Sequence, residues 1–193
     1  MALKGTDAPG ATPLEMEDIE QLIPDHIQTR PELDEWEAQN IIRAMTTLRR
    51  PRELLTDHFL RQLHLRMFGN TWHWAGKYRQ RETNIGITPR QIPMAVRNLC
   101  EDVRYWRDQA VFPPDELAVR FHHLLVSIHP FTNGNGRHSR LAADLLIVSL
   151  GKEAFSWGRT GLVKPGQTRD QYLQSLRLAD RGDIKELLAF SRS

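Results

Sequence analysis

His129-Pro-Phe-Thr-Asn-Gly-Asn-Gly-Arg-His-Ser-Arg140 joins two apolar stretches, and its reading decides the fold. The run from Phe121 to Ile128 predicts a buried helix that stops at His129, because the residue before a proline is driven out of helical geometry. The loop Thr132 to Gly136 carries two glycines, which let the backbone turn sharply and let another group approach bare amides. From Arg137 the pattern is helical again, with Leu141, Leu145 and Val148 on one side and Gly151 as a stop.

A helix N-terminus carries partial positive charge and unpaired N–H groups, so it favours acids; this one begins Arg137, His138, Ser139, Arg140 without one. Arg137 and Arg140, three apart, share a face, and with the loop amides they would surround an anion, most economically a phosphate chain. Any one of these residues alone reads as a solvated arginine or a satisfied helix-end histidine. Their joint placement calls for an anion and a base beside it.

The segment closely resembles the signature of Fic domains, His-Pro-Phe-x-(Asp/Glu)-Gly-Asn-Gly-Arg-x-x-Arg. The resemblance implies a mostly α Fic-type helical domain that moves AMP from ATP, or from another nucleotide, to a Ser, Thr or Tyr hydroxyl of a target protein. It implies His129 as general base, with Arg137 and Arg140 as its catalytic partners. Phe131, Asn133, Gly134, Asn135, Gly136, Arg137 and Arg140 would form the nucleotide site, Arg140 at the γ-phosphate. Asn133 departs from the pattern, standing where most AMP-transferring members place an acid for Mg²⁺. A neutral amide oxygen is a poorer partner for that hard cation, so Asn133 is at best a weak metal ligand. Two alternatives stay open: a phosphotransferase with altered nucleotide orientation, and a regulatory module that binds nucleotide without catalysis.

N-terminal to the signature, Pro31 fits the start of a helix in which Leu33, Trp36, Ile41, Met45 and Leu48 recur at helical spacing. Asp34-Glu-Trp-Glu-Ala-Gln-Asn40 is similar to the inhibitory helix of many Fic proteins, which implies that Glu37 pairs with Arg140 and blocks the γ-phosphate. Arg49, Arg50 and Arg52 form a basic corner around Pro51. Thr56 caps a helix with Phe59, Leu60, Leu63 and Met67 inward, leaving His58 and His64 as surface residues. Alternation from Trp72 to Ile87 predicts a small β-hairpin. Trp74-Ala-Gly-Lys-Tyr-Arg79 resembles the start of the Fic flap, which implies target docking by Lys77, Tyr78, Thr83, Asn84, Ile85 and Gly86. Pro93 begins a helix with Val96, Leu99, Val103 and Trp106. Thr168 to Gln171 has capping-box form, and a last helix carries Leu187, Leu188 and Phe190.

These elements divide the chain into a partly disordered N-terminal extension (1–28), whose first fourteen residues, rich in Gly, Ala, Pro and Thr, are expected to be loosely ordered, a helix with an inhibitory resemblance (29–53) and a Fic-type domain (54–193). With 193 residues and a formal net charge of +2, one domain with a real core is expected and no dominating nucleic-acid field follows. The loop lacks the Gly-Lys-Ser/Thr of a P-loop, so direct nucleic-acid binding is not expected. The single cysteine, Cys100, excludes an intrachain disulfide. No basic-then-apolar leader and no apolar run approaching about 18 residues occurs, so a cytoplasmic protein away from the membrane is expected. The whole chain also resembles the Fic subgroup called mobile mystery protein B, which implies a helix-turn-helix partner protein and a toxin–antitoxin-like pairing.

Overall fold

The computed structural model describes residues 12–48, 53–158 and 165–193. Its helices are α1 (Met16–Ile19), α2 (Arg30–Thr47), α3 (Asp57–Phe68), α4 (Ile92–Asp108), α5 (Pro114–Ile128), α6 (Asn135–Ser149), α7 (Pro165–Ala179) and α8 (Lys185–Arg192), with a short 3₁₀ turn at Pro89–Gln91. The basic corner at Arg49, Arg50 and Arg52 lies outside the described residues. No described helix is long and apolar enough to cross a membrane.

Local chemistry sets the ends. Thr29 and Glu32 form a reciprocal capping box at the start of α2, and Thr56 accepts from the Phe59 amide at 3.1 Å to begin α3. Helix α7 starts at Pro165, three residues before the capping pattern at Thr168, which falls inside the helix.

The core is built around α5 and α6, a packed pair joined by the His129–Gly134 loop. Helix α4 and helix α8 lie against α5, α3 against α6 and α4, and α2 on α3. Fully buried Phe68, Phe121, Phe131, Leu146 and Ile147 fill the centre, and Cys100 is a core thiol. Helix α2 turns a different face inward from the apolar spacing: Leu33, Glu37, Asn40 and Ala44 are buried, while Met45 is 45% exposed. Two polar side chains on an inward face need partners inside, and both point towards the Thr71–Trp72 turn.

The expected hairpin at Trp72 to Ile87 does not form. These residues run through turns, and two of the segment's backbone bonds go to the end of α5 and the loop after it: Arg79 N–H donates to Pro130 O at 3.0 Å, and Ile87 N–H to Ile128 O at 3.3 Å. The Arg79 guanidinium takes the carbonyls of Arg81 and Ile87, oxygens that a strand partner would otherwise need. The segment thus lies directly on the loop that carries His129.

Candidate functional site

The apolar stripe of α5 ends at His129, whose backbone is left-handed (φ 55°, ψ 60°). Pro130 prevents another helical turn, and positive φ in a non-glycine costs about 1–3 kcal/mol, so the surroundings must hold it. Arg79 does so. Its Nε donates to His129 O at 2.7 Å, and its side chain, 2% exposed, binds the 81–87 segment at the same time. Gly86 closes over this junction with φ 104°. A Cβ there would come within 2.5 Å of the His129 Cβ.

His129 Nε2 lies 2.8 Å from the hydroxyl oxygen of Thr12. Burial, and secondly the Arg79 charge, push the imidazole pKa down to about 4. The ring is therefore neutral at physiological pH, and its Nε2 is poised towards a hydroxyl.

The rest of the loop is held from below. The Phe131 ring is fully buried and stacks on His64 with centroids 3.8 Å apart. The buried ring thereby anchors the loop from the inside. Asn135 clamps the turn through both side-chain atoms, accepting from Phe131 N–H at 2.9 Å and donating to Phe131 O at 2.7 Å. His64, expected at the surface, is fully buried. Its Nδ1 accepts from Gly76 N–H at 3.0 Å, so Nε2 carries the proton and donates to Asn133 O at 3.1 Å. Gly134 starts α6 at φ 78°, and a Cβ there would strike the Phe68 ring at 2.6 Å.

The first intrahelical bond of α6 is from His138 N–H to Gly134 O, so the amides of Asn135, Gly136 and Arg137 precede it at the positive end of the helix. Arg137 lies beside this end, 4.9 Å from the Phe68 centroid, and Arg140 lies 5.1 Å from that of Tyr172. Glu37 reaches in from α2. Its Oε2 is 2.7 Å from Arg137 Nη1, and its Oε1 accepts the Trp72 indole N–H at 2.6 Å. The ion pair therefore runs to the first arginine of the signature, where the resemblance implied the second, Arg140. The turn of α2 that carries Glu37 packs by Trp72, which fixes the carboxylate at the nearer arginine.

Asn133 uses its side chain locally. Oδ1 accepts from Gly134 N–H at 2.6 Å and Nδ2 donates to Thr12 O at 3.1 Å. Among the described residues no three His, Cys, Asp or Glu side chains gather as a metal site. Asn133 thus presents a neutral amide whose oxygen and nitrogen are both engaged, a poor donor set for a magnesium ion.

Of the flap residues, Asn84, Ile85 and Gly86 are exposed, Gly86 against His129, and Thr83 donates to Ile85 O at 2.6 Å. Lys77 is exposed, and Tyr78 turns away to donate to Asp57.

A model of the Fic/DOC family matches residues 54–147. A Fido domain-containing protein of Dictyostelium discoideum is 34% identical over 110 residues, covering 55% of this chain and 72% of that protein. Protein adenylyltransferase fic-1 of Caenorhabditis briggsae is 31% identical over 142 residues, 72% of this chain and 26% of its own length. The chain thus spans about a quarter of that adenylyltransferase. Among solved structures, the BepC effector of Bartonella tribocorum with bound AMPPNP aligns with a TM-score of 0.70 at 15% identity, covering 92% of this chain and 97% of that one.

Proposed function

Because the chain belongs to the Fic/DOC family, we propose that it is a protein adenylyltransferase that moves AMP from ATP to a hydroxyl of a target protein. The observation that carries this reading is the contact between a neutral His129 Nε2 and a hydroxyl oxygen at 2.8 Å, beside a helix N-terminus with two arginines and no acid. A hydroxyl in that place is a nucleophile whose proton has an acceptor. It would attack the α-phosphorus while the leaving pyrophosphate charge is met by the α6 amides, Arg137 and Arg140. Arrival of the phosphates adds negative charge beside His129 and raises its pKa, strengthening the base when it is needed.

Asn133 offers no carboxylate, so a magnesium ion would come with the nucleotide's own oxygens. Glu37 occupies the anion place at Arg137, and in this reading it is a brake that nucleotide must displace. Helix α2 is then the regulatory element of the 29–53 segment, and Asn84 to Gly86 border the target path. In this reading the protein works in the cytoplasm, and the resemblance to mobile mystery protein B supports a helix-turn-helix partner.

The test is intact-mass spectrometry of the chain and of a supplied protein lysate with ATP. A gain of one adenylyl group supports the reading, a gain of phosphate assigns a phosphotransferase, and no gain leaves a nucleotide-binding module.

A further inference from the structure

Thr12 precedes His129 by 117 residues and belongs to no motif, yet it is 7% exposed and placed on the base. Two contacts fix it independently. Its hydroxyl meets His129 Nε2 at 2.8 Å, and its carbonyl accepts from Asn133 Nδ2 at 3.1 Å. The chain that follows is anchored within a few residues: Leu14 packs against the core, and Glu15 and Asp18 both pair with Arg81. Further on, Ile23 N–H donates to Thr71 O at 2.9 Å and His73 N–H to Gln21 O at 3.1 Å. The position of Thr12 is thus set by a tethered segment.

We propose that Thr12 is a self-modification site, the acceptor of AMP in a reaction within one chain. It rests on AMP transfer by this same site. The Thr12 Oγ1 forms a bond to the α-phosphorus of ATP. The bond from that phosphorus to the α,β-bridging oxygen breaks, its electron pair leaves with pyrophosphate, and the Thr12 proton passes to His129 Nε2. The product is a threonine–AMP phosphodiester and one pyrophosphate per chain.

Asn133 gains a reason in this arrangement. Holding a backbone carbonyl requires a donor, and the Asn133 amide supplies one where an aspartate would set a carboxylate against the Thr12 oxygen. Before modification the same contact shields the base, since His129 Nε2 accepts one hydroxyl at a time. A target hydroxyl must displace Thr12.

The experiment incubates the full chain with ATP, in the natural form and as Glu37→Gln, with a protein lysate as a separate arm. Tryptic digestion yields a peptide from Gly5 to Arg43, since Arg30 precedes proline; its hydroxyl residues are Thr6, Thr12 and Thr29. Fragmentation then locates the adduct. The expected result is one adenylyl group on Thr12, formed at a rate per chain independent of protein concentration, lost in Thr12→Ala and kept in Thr12→Ser. An adduct elsewhere with Thr12 unmodified, or a rate that rises with concentration, overturns the inference and leaves AMP transfer standing. So does AMP on lysate proteins with none on the chain. No adduct on any protein overturns AMP transfer, and the inference with it.

Discussion

The Glu37 carboxylate holds Arg137 Nη1 at 2.7 Å with one oxygen and the Trp72 indole N–H at 2.6 Å with the other. It is 4% exposed, on a helix that packs against α3, so both bonds depend on the seating of α2. A carboxylate on Arg137 occupies the place of a phosphate oxygen, and the two anions compete for one guanidinium.

Glu37→Gln removes the charge but keeps an acceptor for Trp72. Breaking a fully buried ion pair costs about 3–5 kcal/mol and an exposed one less than about 1 kcal/mol. Arg137 is 32% exposed at the side chain, which places this pair between them. Nucleotide affinity should rise about tenfold, roughly 1.4 kcal/mol, by calorimetry. Unchanged affinity would show that Glu37 is structural and no brake.

Stability should fall in mild acid. Burial holds His122 at about 3, His129 at about 4 and His138 at about 4, and lowers His64 well below its ordinary range. The unfolded chain titrates these rings near about 6.5, so between there and about pH 4 it binds protons that the folded chain refuses. Their contribution is fully present above the unfolded value and is lost as pH falls through that window. Urea midpoints should drop steeply from pH 7 to pH 5. A flat profile would mean that the rings protonate in place.

The two glycines of the loop should respond differently to alanine. At Gly134 the positive φ and the Phe68 ring both oppose a side chain, whereas a Cβ on Gly136 would meet only the Tyr172 hydroxyl at 3.7 Å, an ordinary contact. Gly134→Ala should lower the melting temperature by several degrees, and Gly136→Ala should leave it nearly unchanged. Equal effects on thermal melting would contradict this placement of the loop.

Arg79→Lys should slow transfer more than it weakens nucleotide binding. One ammonium cannot span the carbonyls of Arg81, Ile87 and His129 that the guanidinium joins. A change in nucleotide affinity without a change in turnover would place Arg79 outside the positioning of His129.

The turn from α5 through His129 into α6 was legible because its geometry depends on near neighbours: a proline stop, a glycine turn and a helix start without an acid. Two other features were present in the spacing but outweighed by residue type. Leu60, Leu63, His64 and Met67 fall at i, i+3, i+4 and i+7, which turns His64 inward, and Leu33, Glu37, Asn40 and Ala44 do the same for Glu37. Alternating residues from Trp72 to Ile87 suggested a hairpin, but the segment's distant backbone partners are Gln21, Ile128 at the end of α5 and Pro130 after it, and local pattern carries no sign of them. Thr12 left no signal at all. Its role depends on a contact across 117 residues, and its immediate neighbours, Ala11 and Pro13, say nothing of a histidine.

The most direct test of the account follows the label from ATP carrying it at either the α- or the γ-phosphorus, with the natural chain and His129→Ala compared at saturating nucleotide. AMP transfer with His129 as base predicts that α-label enters protein, γ-label does not, and His129→Ala binds nucleotide but loses incorporation by a factor of about 10² to 10⁴. Incorporation of γ-label, or α-label entering equally fast in His129→Ala, would contradict it.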